Sequence, residues 1–363
     1  MKRVLHLIHT PRLSGAETLV RELCLRHQDE GLICGISAFG PAENGFAPSA
    51  EALKAAGIEL FFPERPLGRI ARLSHFRNCY RDFQPDAVFG HSVLPAAYGR
   101  IALPVNKRPR FYSVLHSATN DDYANAALCA SEWALARRLD GVVAVSDLGA
   151  QSYKRRIPLS PPVTVIPNGI DTALFTAAAR RRDENRASFG LSTGEKLIIQ
   201  VGRISPVKQQ LFSLQTLHSL LQTCSDIKLW FVGLTEDALY EATLRSAAAA
   251  YNLSGQVRLL GSRDDIPQLL SAADACIMPS LQEAHSVAFI EALASGINIV
   301  ATRIPSFETT GEQPGTVLVE VGNGELFGAE CLKAISAPRN SRDMSAFDIG
   351  RTSRDYTTVL NRD

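Results

Sequence analysis

Several things are scarce in this 363-residue chain, and each scarcity excludes something. No apolar run approaches the ~18 residues of a membrane-crossing helix, and the opening MKRVLHLIHT moves straight into an alternating strand pattern. Neither a spanning segment nor a signal segment is therefore expected. The seven cysteines are scattered and none forms a C-x-x-C pair, which argues against a disulfide framework or a zinc site and for a reducing, cytoplasmic setting. The G-x-G-x-x-G fingerprint is missing from both glycine-containing strand-to-helix turns, so a dehydrogenase has little to stand on. Net charge is only +1, which gives no general attraction to nucleic acid.

What is present is β-rich runs alternating with helix-length segments from end to end, the pattern of parallel α/β sheets. The first half reads as strands at Arg3–His9, Cys34–Phe39, Ala87–Gly90, Phe111–His116, Val142–Val145 and Val163–Ile166. The second half restarts with LIIQVG, KLWFVG, VRLLG, ACIMPS and NIVAT. At 363 residues with two such series, two doubly wound domains are expected: residues 1–171, a charged, alanine-rich linker at 172–194, and residues 195–344. A last helical pattern in 345–363 is expected to return to the first domain. The halves differ in charge: residues 1–170 carry 20 Lys and Arg against 15 Asp and Glu, the remainder 18 against 22. Arg65, Arg69, Arg72, Arg77 and Arg81 supply much of the excess, interleaved with Leu67, Ile70, Leu73, Phe76 and Tyr80. They form either a solvated helix face or a surface that meets anionic lipid or an anionic acceptor.

Four segments can carry chemistry. The loop His9 to Glu17 leaves the first strand and enters a helix near Gly15, where a small residue lets backbone amides approach a phosphate; it also reads as an ordinary turn. Gly202-Arg203-Ile204-Ser205-Pro206-Val207-Lys208 sets a planar guanidinium and an ammonium five residues apart, suited to a diphosphate unless they are two surface cations. Glu283-Ala284-His285-Ser286-Val287 follows a strand end and opens a helix that carries Glu291. Ligands of open α/β sheets bind at such carboxyl ends, so the two carboxylates fit opposite ends of a nucleotide-sized ligand, with the amides near Ser286 and Val287 free for phosphate oxygens. The alternative is a capping Glu and an incidental one. His116 ends the run Tyr112-Ser113-Val114-Leu115 and can polarise a substrate hydroxyl or serve only the core; His91 is a weaker version of the same idea.

Taken in order, SGAE, VLHS, VIPNGID, VGRISPVK, WFVG, RLLG and QEAHSVAFIEALASG resemble the retaining GT-B glycosyltransferases, and within them family 4, which includes lipopolysaccharide, capsule and mannosyl transferases. The resemblance spans residue 3 to about 310. It implies a GT-B fold, two Rossmann-like domains facing across a cleft, and transfer of a hexosyl or N-acetylhexosaminyl group from a nucleotide sugar, UDP-linked more often than GDP-linked. The Arg65–Arg81 segment favours a glycan or lipid-linked saccharide acceptor at the cytoplasmic face of a membrane, and no metal or other cofactor and no nucleic-acid partner is expected. Carried over by position, Arg203 and Lys208 would hold the diphosphate and Gly15 would approach it from the other domain. Glu291 would bind the ribose and Glu283 the donated sugar, Ser286 and Val287 would meet phosphate, Leu260 and Gly261 would lie near the base, and His116 would sit beside the reacting sugar. The usual glycine-rich loop is here Glu283-Ala284-His285-Ser286, and the usual later double glycine is Pro305-Ser306-Phe307-Glu308. A sugar-nucleotide 2-epimerase-like isomerase and a non-catalytic scaffold of the same fold are the alternatives.

Overall fold

The computed structural model describes residues 1–104, 106, 108–158, 160–310 and 313–361, with Asn44 described by its backbone alone; residues 362 and 363 of the expected terminal segment lie outside the described residues. The chain divides into two units, Met1–Gly169 with Ile349–Asp363, and Ile170–Asp348. In the first unit, β1 (Arg3–Ile8), β2 (Ile33–Ala38), β3 (Glu59–Phe61), β4 (Ala87–His91), β5 (Arg110–Leu115), β6 (Gly141–Ala144) and β7 (Val163–Val165) form one sheet. Its order is β3-β2-β1-β4-β5-β6-β7, every pairing parallel. In the second, β8 (Lys196–Val201), β9 (Ile227–Val232), β10 (Val257–Leu259), β11 (Ala275–Met278), β12 (Asn298–Thr302) and β13 (Thr316–Val319) are ordered β10-β9-β8-β11-β12-β13. Both are the doubly wound 3-2-1-4-5-6 arrangement, whose order reverses between the first and fourth strands.

Each sheet is buried on both faces because alternate residues of its central strands are apolar in both directions. In β1, Val4 and Ile8 face Leu19 and Leu23 of the helix Gly15–Asp29 and Tyr356 and Leu360 of the helix Ile349–Leu360. Leu5 and Leu7 face the opposite way, toward Phe76 and Phe83. In β8, Leu197, Ile199 and Val201 belong to one core and Ile198 to the other.

Residues 172–194, expected as a linker, are instead built into the second unit as the helices Thr172–Arg180 and Arg182–Ser188. Their arginines explain why. Arg182 donates to the carbonyls of Ser271 and Ala273 at 2.5 and 2.6 Å and Arg186 to that of Ala272 at 2.9 Å, and both pair with Asp274. They therefore satisfy the orphan carbonyls that end the helix Ile266–Ala272. The tail divides at residue 348: Ser345–Phe347 is a turn of 3-10 helix in the second unit, and Ile349–Leu360 packs in the first. There Tyr112 donates its hydroxyl to the Val359 carbonyl at 3.1 Å and Thr352 to that of Pro167 at 3.1 Å. Two strands had no counterpart in the sequence reading, β3 and β13.

Candidate functional site

In the second unit the residues singled out gather where β8 and β11 part company. β8 ends at Val201, and Gly202-Arg203 leads into the 3-10 turn Pro206–Lys208. β11 ends at Met278, and the loop that follows carries Glu283 and delivers Ser286 as the N-cap of the helix Val287–Ala294. Backbone bonds knit the loops together. Leu281 N–H donates to Val207 at 2.9 Å, Gly202 to Val232 at 2.8 Å, Ile204 to Leu234 at 2.8 Å, and Gly233 to Gly261 at 2.9 Å. The approach of the Gly202 carbonyl shows why Gly233 has no side chain: with φ +151°, an added Cβ would lie 2.2 Å from that oxygen.

Lys208 Nζ donates to Glu283 Oε1, which also accepts from Ser280 Oγ at 3.1 Å. Both side chains are only 10% exposed. A buried ammonium with one of its three protons committed keeps two for a ligand, and Glu283 keeps its second oxygen. The lysine is held from behind: Gln200 Nε2 donates to the Lys208 carbonyl at 2.6 Å, and Ser213 Oγ donates to Gln200 Oε1 at 2.7 Å. Arg203 is paired elsewhere, with Glu236, and those side chains are 41% and 40% exposed. Arg203 and Lys208, expected to converge, each meet a different carboxylate. Gln200, Ser213 and Glu236 were not anticipated, and only the inward-facing glutamine in an apolar strand gives any sign in the sequence.

Ser286 Oγ accepts from Phe289 N–H at 3.4 Å, which leaves the amides of Val287 and Ala288 without an intrahelical partner, ready for an anion. Glu291, half-buried, is the fifth residue of that helix and lies near enough to Cys276 that its charge helps push the thiol up to about 12, after burial itself. His285, half-buried, is held neutral to about 4 by desolvation. Leu260 and exposed Gly261 form the turn that docks on Gly233. Among the described residues no group of three or more His, Cys, Asp or Glu stands close enough to hold a metal ion.

The first unit presents a second constellation at the equivalent strand ends. Gly15 opens the helix Gly15–Asp29, and Ser14, its N-cap, gives its hydroxyl to Glu17 rather than capping an amide. The Gly15 and Ala16 amides thus remain open to an anion. Burial holds the Glu17 carboxyl above its usual range. His116, half-buried at the end of β5, is the outer member of a row: its Nε2 is 3.0 Å from His91 Nδ1, and His91 Nε2 is 3.0 Å from His6 Nδ1. His91 is therefore joined to His116 rather than duplicating it, and His6 is a member that the sequence reading passed over. Burial drives all three toward the neutral form, His6 to about 3 and His116 to about 4.

Of the five arginines of the basic segment, Arg65, Arg69, Arg77 and Arg81 are exposed and Arg72 is half-buried. Arg72 stacks over Phe39 and Tyr98 and donates to Leu67, Arg77 donates to the Ala102 carbonyl, and Arg81 pairs with Asp82. Arg65 and Arg69 stay exposed beside Ile70, itself 84% exposed. Among the described residues no helix is long and apolar enough to cross a membrane.

Comparison with known proteins covers nearly all of this architecture. Residues 13–174 match the family Glycosyltransferase Family 4, and residues 181–347 match Glycosyl transferases group 1. The chain is 25% identical over 232 residues to a UDP-Gal:alpha-D-GlcNAc-diphosphoundecaprenol alpha-1,3-galactosyltransferase of Escherichia coli, covering 60% of this chain and 58% of that one. It is 27% identical over 228 residues to the lipopolysaccharide core biosynthesis mannosyltransferase LpsB of Rhizobium meliloti, covering 61% and 63%. The matched stretch thus spans about three-fifths of each of these two relatives. The fold is similar to that of Anabaena HepE, solved with UDP and glucose, at a TM-score of 0.81 and 19% identity over the whole of both chains.

Proposed function

Because the chain belongs to the family 4 glycosyltransferases of GT-B fold, we propose that it transfers a hexosyl or N-acetylhexosaminyl group from a nucleotide sugar to a saccharide or lipid-linked acceptor. The observation that carries this reading is the buried Lys208–Glu283 pair at the reversal of strand order in the second unit. There a cation for a diphosphate and a carboxylate for sugar hydroxyls are held by one another. Lys208 then bridges Glu283 and a phosphate oxygen, Arg203 releases exposed Glu236 to take the phosphates, and the Val287 and Ala288 amides take another oxygen. Glu291, deeper in the same helix, suits a ribose.

The departing diphosphate is met by these fixed positive groups, with no metal assigned a part. The bond from the anomeric carbon to the phosphate oxygen breaks as the acceptor oxygen attacks from the same face. The acceptor's proton passes to the leaving phosphate, so configuration is retained. Two carboxyls of the glycosidase kind would have to flank the bond, whereas Glu283 is committed to Lys208. A UDP-sugar is favoured over a GDP-sugar, since one relative's name specifies UDP-Gal and HepE was solved with UDP. Exposed Arg65, Arg69 and Ile70 suit a membrane surface carrying a lipid-linked acceptor.

A panel of UDP-, GDP-, ADP- and TDP-sugars in EDTA, read by thermal shift and by donor hydrolysis, tests the donor side. One nucleotide sugar should stabilise the wild type, and Lys208→Ala and Glu291→Ala should abolish the effect. Stabilisation by none of them would remove the transferase reading and leave a scaffold role. An epimerised nucleotide sugar formed without acceptor would point to an isomerase.

A further inference from the structure

The histidine row in the first unit has a direction. His6, His91 and His116 stand on one face of three neighbouring strands, and the parallel register pairs His6 with Phe89 and His91 with Val114. Each step therefore moves one strand across and two residues toward the carboxyl ends, the diagonal spacing that imidazoles can bridge. The rings stack as they go, with centroids 5.2 Å apart for His6 and His91 and 5.3 Å for His91 and His116. Each link joins an Nδ1 to an Nε2 at 3.0 Å, so with neutral rings each link holds one proton and the tautomers must agree along the row. Two patterns satisfy that condition, all three rings protonated on Nδ1 or all three on Nε2.

The inner end decides between them. His6 is fully buried and its Nε2 has no hydrogen-bond partner among the described residues. The nearest further imidazole, His27, stacks at 6.2 Å and directs its own Nε2 to the Ser353 carbonyl at 3.4 Å. With protons on Nε2 the row would bury an orphan N–H at His6. With protons on Nδ1 it buries only a bare lone pair, the lesser penalty. Among the described residues no acceptor is hydrogen-bonded to His6 Nε2, so the row has no hydrogen-bonded continuation at its inner end.

We infer that His91 and His6 are positioning residues that lock His116 in its Nδ1–H tautomer, so that this half-exposed ring offers a hydrogen-bond donor, and no basic nitrogen, to an oxygen of its ligand. Burial, which keeps all three rings neutral, acts in the same sense. Resting on the transferase reading, the ligand oxygen is a sugar hydroxyl, which His116 orients while the acceptor's proton goes elsewhere. A general base would need the opposite tautomer.

The test is a long-range ¹H–¹⁵N spectrum of histidine rings in the full chain labelled with ¹⁵N-histidine, assigned by single His→Gln variants. His116, His91 and His6 should all show a protonated Nδ1 and an unprotonated Nε2. A His116 protonated on Nε2 in the wild type overturns the inference, and this reading needs only the assignment variants to fold, not His91→Phe. His91→Phe should release His116 to the Nε2–H form and lower kcat about tenfold, the scale of one hydrogen bond to a neutral group, with the donor KM within about twofold. His91→Gln, whose amide can still donate to His116 Nε2, should restore both tautomer and rate. A His116 tautomer unchanged in His91→Phe also refutes the lock. Because the spectrum needs no nucleotide sugar, failure of the transferase reading would leave it intact, and the two failures can be told apart.

Discussion

Removing the ammonium from Lys208 should expose how the donor site of the second unit is held together. In Lys208→Met the methionine fills most of the same volume, but Glu283 is left at 10% exposure with Ser280 Oγ as its remaining hydrogen-bond partner among the described residues. Breaking a buried ion pair from one side costs about 3–5 kcal/mol, and the Ser280 hydrogen bond places the expected loss near the lower figure, about 3 kcal/mol. Glu283→Gln should cost less, about 1–2 kcal/mol, because the amide oxygen can still accept from Lys208. The double variant Lys208→Met with Glu283→Gln removes both charges and should recover about 1–2 kcal/mol relative to the sum of the singles. The chain has two tryptophans, one in each unit: Trp133 is exposed in the first and Trp230 is buried in the second. A Trp133→Phe background therefore lets Trp230 fluorescence report denaturant unfolding of the second unit alone, which avoids forcing two units into one transition. A coupling below about 0.5 kcal/mol would mean that water screens the pair as it does surface pairs. Glu283 would then not be what holds Lys208 in place.

Gly233→Ala should destabilise the second unit by about 2–4 kcal/mol, since the new Cβ meets the Gly202 carbonyl at 2.2 Å and the backbone must move; the Trp230 unfolding curve checks it. Glu236→Gln should cost under about 1 kcal/mol of stability, because the Arg203–Glu236 pair is exposed, yet it should tighten donor binding several-fold by freeing Arg203; weaker binding in a calorimetric titration would show that Arg203 needs Glu236 to orient it. Acid should destabilise the first unit before most carboxylates titrate. His6 has a folded pKa of about 3 against 6.5 unfolded, so the unfolded chain binds the extra proton and stability falls as pH drops below about 6.5. At pH 5 the loss from this one ring is about 2 kcal/mol, and His6→Phe should flatten the slope of denaturation midpoint against pH between 6.5 and 4. Finally, Arg65→Glu with Arg69→Glu should abolish flotation with anionic liposomes at low salt while leaving donor hydrolysis unchanged; wild-type protein that does not float would rule out electrostatic docking through this face.

How much of this was legible before the structure depended on whether the signal lay along the chain or across it. The central strands β1, β4, β5, β8, β9, β11 and β12 are buried on both faces, and such strands read as apolar runs bounded by turns. β3 and β13 are edge strands of three and four residues with mostly part-exposed side chains, so nothing in Glu59-Leu60-Phe61 or Thr316-Val317-Leu318-Val319 set them apart from loop. The stretch from Thr172 to Ser188 misled for a different reason. Part of its attachment is by guanidinium groups to carbonyls near residue 272, a bond that no hydrophobic pattern records. The site residues were found one by one from their positions after strand ends, but their pairing was not. Lys208 and Glu283 are 75 residues apart, and proximity in sequence favoured the partnership of Lys208 with Arg203. Once the 3-2-1-4 strand order is known, β8 and β11 become neighbours and the loop after each must meet the other. The same step explains the histidines. His6, His91 and His116 are unremarkable singly, two near strand ends and one inside a strand, and only the order β1-β4-β5 turns them into a row. Topology, more than residue type, therefore decides which of a sequence's polar residues act together. A reading from sequence improves most by committing to strand order first and asking afterward which polar side chains that order brings into line.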